Sequence, residues 1–256
     1  DETLEKSFPK SSFNSFLLSS QASSPNAAEI LLRAGINPDK VDEELGLSAI
    51  YISLIKEDLA SVKTLLAGGA SVNCEHDPRN NLLLMSLLGG VKDKAVVEYF
   101  AKNVAAINVF GSDGLAPVHL IPKREEAIRL MEILQSRGAD INALAQNPAI
   151  IEGFNALHVT ASLPKDCFWR DDLARFLIAQ KEIDFNLARK SDGTTPFTLA
   201  VMNGNYKIAD TLLERGVNID EPNPQNGITP LFLFTLYNCL NEVKYLCDRG
   251  ASLASV

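Results

Sequence analysis

The sequence predicts an all-α protein made of short helix-turn-helix units that repeat along the chain. Helix-start signals recur, as in "DGTTPFTLA" (192–200), where a threonine hydroxyl can cap a helix and proline suits its first turn. A second apolar segment follows each start and ends near a glycine, the residue that most easily adopts a left-handed turn. One such hairpin is too small to bury its own apolar face, so each unit must pack against its neighbours.

Composition excludes several functional classes. The chain has 256 residues, a formal charge of −8 and no block of lysine or arginine, which argues against nucleic acid or an anionic membrane as the main partner. No apolar run approaches the roughly 20 residues of a membrane span, and residues 1–25 lack the core of a signal peptide. Four cysteines without paired spacing indicate free thiols in a reducing compartment. We therefore expect a cytoplasmic protein.

The repeat is visible at the ends of the second helices. Seven segments share an apolar start, and their last residues lie 34, 35, 34, 44, 34 and 34 positions apart. They are "LLRAGINPD" (31–39), "LLAGGASVN" (65–73), "FAKNVAAIN" (100–108), "LQSRGADIN" (134–142), "IAQKEIDFN" (178–186), "LLERGVNID" (212–220) and "LCDRGASLA" (246–254). A period of this length indicates an array of two-helix repeats.

The first helices recur in the same phase. They are "GLSAIYIS" (46–53), "GLAPVHLI" (114–121), "GFNALHVT" (153–160), "GTTPFTLA" (193–200) and "GITPLFLF" (227–234), whereas copies near 14–19 and 81–86 keep only the apolar positions. On these residues the chain resembles the ankyrin-repeat family, whose pattern is Gly-x-Thr-Pro-Leu-His-x-Ala, from about residue 11 onward. The resemblance implies an all-α ankyrin-repeat solenoid with short hairpin fingers and an extended concave binding face.

The resemblance divides the chain into an N-terminal tail, 1–10, and an ankyrin-repeat domain, 11–256. The repeats are 11–44, 45–78, 79–111, 112–145, 146–190, 191–223 and 224–256. The copy that ends at residue 186 is ten residues longer than its neighbours. The extra length falls in the finger "ALAQNPAIIEG" (143–153) and the turn "SLPKDCFWRD" (162–171), where we expect the stack to be irregular.

Side chains with catalytic or metal-binding chemistry are few. His119 and His158 occupy the family's histidine position, where the resemblance implies a hydrogen bond between repeats. Cys74 and His76 supply only two of the four ligands of a structural zinc site. Cys167 would need a base such as His158 within reach, a geometry that the sequence does not exclude. We expect no catalytic residue, no metal and no cofactor, so the chain itself is not an enzyme.

The resemblance implies a partner-binding surface on the finger tips and on the two residues after the first-helix alanine. The candidates are Phe110, Lys123, Arg124, Ile150, Ile151, Leu163, Arg189, Lys190, Met202, Asn203, Leu236 and Tyr237. Phe110, Lys123, Arg124 and Tyr237 are expected to face solvent. Phe110 and the Ile150–Ile151 pair would form an exposed apolar rim, the alternative being that the long finger folds back and buries them.

These observations predict a monomeric protein–protein interaction module that binds one partner protein and has no catalysis. The alternative is the targeting segment of a larger enzyme, such as a bacterial effector that acts in a host cytosol. Two features favour a fragment, namely Asp1 at the start and the end at "GASLASV" without a polar capping helix. Because fold does not fix function, the sequence names neither the partner nor the process.

Overall fold

The computed structural model describes residues 19–20, 22–41, 48–72, 81–146 and 152–253. The chain divides into two compact units, Asp1–Ala106 and Ile107–Val256. The elements bounded below are helices, and each hairpin joins a first helix of at most seven residues to a second helix of nine or ten. The predicted all-α repeat fold is therefore confirmed.

The first unit contains two hairpins and a preceding second helix among its described residues. Its helices are α1 (Pro25–Arg33), α2 (Ala49–Ile55), α3 (Leu59–Ala67), α4 (Leu82–Leu88) and α5 (Lys94–Asn103). Helix α2 pairs with α3 and α4 with α5, while α1 packs on α3 and α2 on α4. Val62, Leu65, Leu82 and Phe100 are fully buried, so an apolar interior holds this unit together.

The second unit contains four consecutive hairpins among its described residues. Its helices are α6 (Pro117–Leu120), α7 (Ala127–Ser136), α8 (Ala156–Ser162), α9 (Arg170–Ile178), α10 (Pro196–Met202), α11 (Tyr206–Glu214), α12 (Pro230–Leu236) and α13 (Leu240–Asp248). The first helices α6, α8 and α10 pack in sequence, as do the second helices α7, α9 and α11. Leu130, Leu157, Leu177 and Leu212 are fully buried between them.

The Thr-Pro pairs start helices as the sequence predicts. The Thr195 hydroxyl accepts a hydrogen bond from the backbone N–H of Thr198 (3.2 Å), and Pro196 is the first helical residue of α10. The Thr229 hydroxyl likewise accepts from the N–H of Phe232 (3.4 Å). Such a cap contributes about 0.5–2 kcal/mol because it satisfies a donor that the helix itself leaves unpaired.

One first helix is shorter than the aligned segment "GLAPVHLI" suggests. Helix α6 ends at Leu120, and a 3-10 turn, Ile121–Lys123, continues the chain. Pro122 explains the change, because proline has no N–H to donate and its ring clashes with the carbonyl four residues earlier in an α-helix.

The loops between consecutive repeats, the fingers, are joined by a recurring side-chain bond in the second unit. In each case a side-chain oxygen accepts from the backbone N–H of a residue in the next repeat, at 2.9 Å. The pairs are Asn108 with Asp140, Asn142 with Asp184, and Asp220 with Ser252. Their separations are 32, 42 and 32 residues, so the longer repeat keeps the series despite its ten extra residues.

Two buried histidines tie first helices to the following finger. His119 Nε2 donates to the carbonyl oxygen of Ala143 (2.8 Å), and His158 Nε2 donates to that of Thr194 (3.2 Å). The hydrogen is assigned to Nε2 because a carbonyl oxygen can only accept. The predicted hydrogen bond between repeats is confirmed for His158, because Thr194 belongs to the next repeat, 191–223, whereas Ala143 belongs to the same repeat as His119, 112–145.

The fingers that contain residues 189–193 and 223–225 are also bonded to each other. Asn223 Nδ2 donates to the carbonyl of Asp192 (2.7 Å), and Gln225 Nε2 donates to that of Lys190. Gly193 has a φ of +70°, and a Cβ there would collide with the Asn223 amide. Glycine is therefore required for this close approach of the two fingers.

Candidate functional site

The predicted binding residues fall on two regions of the second unit. Phe110, Arg189 and Lys190 lie on fingers, whereas Ile150 and Ile151 lie outside the described residues. The other candidates lie at the turns between the two helices of each hairpin. We call these turns, with their flanking helix ends, the inter-helix edge, and they comprise residues 121–126, 162–169, 202–205 and 236–240.

On the fingers, Phe110 is not the freely exposed side chain that the sequence predicts. It is half-buried, and its ring centroid lies 6.2 Å from that of the His119 imidazole. The aromatic contact with a buried neighbour explains the difference, since it removes part of the ring from water. Phe110 therefore contributes to the packing of its own finger.

The two finger cations differ in how much of their charge is available. Arg189 is half-buried, with its guanidinium 4.9 Å above the Phe154 ring and 3.4 Å from the Asp192 carboxylate. Lys190 is exposed and makes no ion pair with a described residue. Lys190 is therefore the better placed of the two to meet a partner.

Of the two cations on the inter-helix edge, Lys123 and Arg124, again only one is exposed. Lys123 is exposed, as predicted. Arg124 is not: its Nε donates to Glu126 Oε1 at 2.6 Å, and only 14% of its side chain is accessible. The expectation that Arg124 faces solvent is wrong, because a carboxylate two residues away draws the guanidinium onto the protein surface.

Leu163 is a second correction, since its side chain is only 6% exposed. It ends helix α8 immediately before Pro164, and its carbonyl accepts from Asn205 Nδ2 at 3.0 Å. The bond to a residue 42 positions away holds the backbone of this turn against the next repeat. Leu163 is part of the interior and has no accessible surface for a partner.

Four candidates are exposed on the inter-helix edge. Met202 is 50% exposed, Leu236 62% and Tyr237 70%, and Asn203 is exposed beside Met202. Met202 and Asn203 line an open recess of about 490 Å³ whose other walls include Lys165, Tyr245 and Arg249. The structure thus places the C-terminal candidates beside a cavity that sequence reasoning did not foresee.

Two large apolar residues of the edge are absent from the predicted set. Phe168 is 76% exposed and Leu240 is 71% exposed. Phe168 contacts Trp169 edge-on, and the indole Nε1 of Trp169 donates to the carbonyl of Pro122 (3.0 Å). The signal in the sequence is a pair of aromatic residues inside an insertion rich in charged residues, "KDCFWRD".

The described residues do not assemble a reactive group from the candidates weighed above. Burial raises the pKa of the Cys167 thiol, and the carboxylate of Asp166 acts in the same direction, so the weakly nucleophilic thiol form is favoured. His158 is fully buried in its bonds to the Thr194 finger, and burial lowers its pKa to about 4. No cluster of three His, Cys, Asp or Glu suited to a metal occurs in the part of the chain that the structure describes, and Cys74 and His76 lie outside that part.

Comparison with known proteins agrees with the repeat geometry. A family model described as ankyrin repeats, in three copies, matches residues 118–223. Residues 118–223 are thus ankyrin repeats. The ankyrin fold also extends over most of the chain's length, because the ankyrin repeat domain of human ASB11 superposes with a TM-score of 0.65 at 20% identity, covering 94% of this chain and 100% of that one. The ankyrin repeat domain of Bcl-3, a member of the IkappaB protein family, gives 0.62 at 20% identity, covering 81% of this chain and 88% of that one.

A sequence relative of this chain is considerably longer. An ankyrin repeat protein of Acanthamoeba polyphaga mimivirus, L371, is 24% identical over 225 residues, which is 85% of this chain and 28% of that protein. The chain therefore spans less than a third of that relative's length. Among the helices of the described residues, none combines the length and the apolar character needed to cross a bilayer.

Proposed function

We propose that this ankyrin-repeat chain is a protein–protein interaction module that binds its partner through the inter-helix edge and neighbouring fingers of the second unit. The observation that carries the proposal is the exposure of Met202, Leu236 and Tyr237 on one edge. Contiguous exposed apolar area usually marks a partner site, and methionine and aromatic side chains are enriched at interfaces.

The charged candidates have a different role in this proposal. Lys123 and Lys190 are exposed and make no ion pair with a described residue, so they can steer the approach of an acidic partner. Arg124 and Arg189 already have carboxylate partners and contribute less. Ile150 and Ile151 remain proposed contacts of the long finger.

No catalytic step, metal or cofactor forms part of the proposed function. Support comes from the raised pKa of Cys167 and from the use of both histidine rings in finger bonds. We propose that the module acts as a monomer inside the cell, which agrees with Cys167, Cys239 and Cys247 being free.

Affinity capture with matched variants tests the proposal. Tyr237→Ala should weaken partner binding by about 1–4 kcal/mol because it removes a large central anchor. Lys123→Ala should mainly slow association and reduce its salt dependence. The control is Leu253→Ala, which alters an equally exposed side chain outside the edge and should leave binding unchanged.

A packing control separates binding from folding. Leu212→Ala should lower the free energy of unfolding by about 2–5 kcal/mol, because it leaves a cavity beneath helix α11. If captured partners are the same for Tyr237→Ala and the wild type, while both unfold at the same temperature, the edge is not the binding surface.

The length of the mimivirus relative favours a second candidate function. Within a longer protein, the module would deliver a separate catalytic domain to its target. Assays of turnover on the complete product of the gene, with and without Tyr237→Ala, would distinguish the two. A targeting role predicts that the substitution spares turnover of a small soluble substrate and slows that of the bound protein.

A further inference from the structure

Exposed apolar side chains of the second unit are concentrated on the inter-helix edge. Among its described residues, seven large apolar side chains are exposed, and five of them belong to this edge. They are Phe168, Met202, Leu236, Tyr237 and Leu240. Each stands at a helix end or turn and is at least half exposed, so folding gains little from its apolar character.

The turns of the edge are in contact from repeat to repeat. Trp169 Nε1 donates to the carbonyl of Pro122, which joins the first two turns of the unit. Asn205 Nδ2 donates to the carbonyls of Ala161 (2.8 Å) and Leu163, which joins the next two. The recess beside Met202 is also lined by Asn241 and Tyr245, so it reaches the last hairpin. The edge is therefore one continuous surface.

The charged side chains that line the recess are three cations, Lys165, Lys244 and Arg249, and two carboxylates, Glu242 and Asp248, so the lining carries one net positive charge. Lys244 lies 4.0 Å from Asp248, Arg249 is paired with Asp210, and Glu242 accepts from the Tyr206 hydroxyl. Lys165 lines the same recess and makes no ion pair or hydrogen bond with any residue that the structure describes. The carboxylate next to it in sequence, Asp166, is exposed and does not line the recess. An incoming carboxylate is the group that complements the recess.

The expected spacing of the repeats is compatible with a helical occupant. Neighbouring helices pack about 8–10 Å apart, so equivalent turns recur at about that distance. An extended strand presents same-face side chains about 6.6 Å apart, which does not match. An α-helix presents residues i and i+7 on one face about 10.5 Å apart, close to one residue per repeat.

We infer that the inter-helix edge receives an acidic amphipathic α-helix of the partner protein. Its apolar face covers Phe168, Met202 and the Leu236–Tyr237 pair, and one of its carboxylates enters the recess to meet Lys165. The inference rests on the proposed function and deepens it, because it specifies the secondary structure and charge of the bound segment.

The probe for the test is a peptide selected from a displayed random library against the 256-residue chain and then synthesised with a fluorophore. A length of about 16 residues makes a helix of about 24 Å, enough to cross three turns. We expect recovered peptides to carry apolar residues at i, i+4 and i+7 with intervening Asp or Glu, and to gain helical circular dichroism on binding.

Variants of the chain locate the bound peptide. Leu236→Asp should weaken binding at least about tenfold, since it places a carboxylate against the apolar face. Lys165→Glu should weaken it about fivefold, and changing the partnering Glu of the peptide to Lys should restore binding to that variant. The matched controls are Leu253→Asp and Lys181→Glu, which place the same changes on exposed residues outside the edge and outside the predicted finger contacts, and should alter binding less than about twofold. Thermal unfolding by circular dichroism verifies that each variant is folded.

Each alternative outcome overturns the inference in a recognisable way. Proline-rich or extended peptides, failure to recover any peptide, or no rescue by charge exchange would each contradict a helical acidic occupant. Sensitivity to Lys190→Glu without sensitivity to Leu236→Asp would move binding to the fingers and leave the proposed function intact. If, in addition, Tyr237→Ala changes no captured protein, the inference and the proposed use of the edge both fail.

Discussion

The fingers and the inter-helix edge of the second unit use their side chains in different ways. On the fingers, Asn142 bonds the backbone of the next repeat, Asn223 bonds that of the neighbouring finger, and the Arg189 guanidinium lies over the Phe154 ring. On the edge, Trp169 and Asn205 also bond a preceding turn, but Asn203 bonds Leu199 of its own helix and large apolar side chains face water. In this unit both regions carry bonds between repeats, and the edge in addition presents large apolar side chains to water.

The long repeat illustrates the difference between the two regions. The bond from Asn142 to Asp184 preserves the finger series across a 42-residue separation. The extra residues on the edge instead place Phe168 in solvent and Trp169 against Pro122. The insertion thus leaves this finger bond in place and adds an exposed aromatic side chain to the surface of the edge.

The largest expected effect concerns the fingers, because protonation of a histidine in acid should break the bond that holds one of them. The neutral imidazole of His158 bonds the finger at Thr194, and burial lowers the pKa of this ring from 6.5 to about 4. The unfolded chain therefore binds a proton at higher pH than the folded chain does. The contribution of the His158 ring to the free energy of unfolding should therefore be fully present above pH 6.5 and should fall by about 3 kcal/mol as the pH drops towards 4. Urea unfolding at a series of pH values measures this.

The control for the acid experiment is His158→Gln, which removes the titrating ring. Carboxylates contribute their own dependence at low pH, so the informative quantity is the difference in slope between the wild type and this variant. His119, whose pKa burial also lowers, remains in both proteins. Equal slopes between pH 6.5 and 4 would show that the ring does not limit stability.

A smaller effect should follow from removing one member of the finger series. Asn142→Ala loses the bond from the N–H of Asp184 (2.9 Å) and the bond to the carbonyl of Glu182 (2.5 Å), so we expect a loss of about 1–2 kcal/mol in unfolding free energy. Asn203→Ala on the edge is the matched control and should cost less than about 0.5 kcal/mol. Equal costs in denaturant titrations would mean that the two regions do not differ as described.

The smallest effect is expected for the apolar edge itself. Leu236→Ala and Tyr237→Ala should each change the unfolding free energy by less than about 0.5 kcal/mol, because both side chains are mostly in solvent. Calorimetry of the isolated chain provides the measurement. A destabilisation of about 2 kcal/mol or more would instead assign these residues to packing.

The sequence predicts the hairpins well because their signals are local. The Thr195-Pro196 start and the Gly216 end are read within one repeat, and the structure places a capped helix start and a φ of +92° there. Burial on the edge depends on other repeats, so it is predicted less well. Leu163 is interior because Asn205 holds its turn, a contact that no local pattern encodes.

Burial of the charged and aromatic candidates is also hard to predict, although their contacts are with residues close in sequence. Arg124 is drawn to Glu126 two residues away, and Phe110 rests against His119. Residue type alone marks both as interface residues, yet each has an intramolecular contact that reduces its exposure. The candidates that remain exposed are those that the other described residues do not cover, namely Lys123, Met202, Leu236 and Tyr237.

Trp169 gives the inter-helix edge its own optical reporter. It is the single tryptophan of the chain, and its ring centroid lies 5.1 Å from that of exposed Phe168. Its indole N–H is held by the carbonyl of Pro122, so the chromophore keeps a fixed orientation beside the surface. We expect a molecule that covers Phe168 to reduce the exposure of the indole to water and so to shift its emission to shorter wavelength. Occupancy of this edge is therefore readable from the native fluorescence of the unlabelled protein.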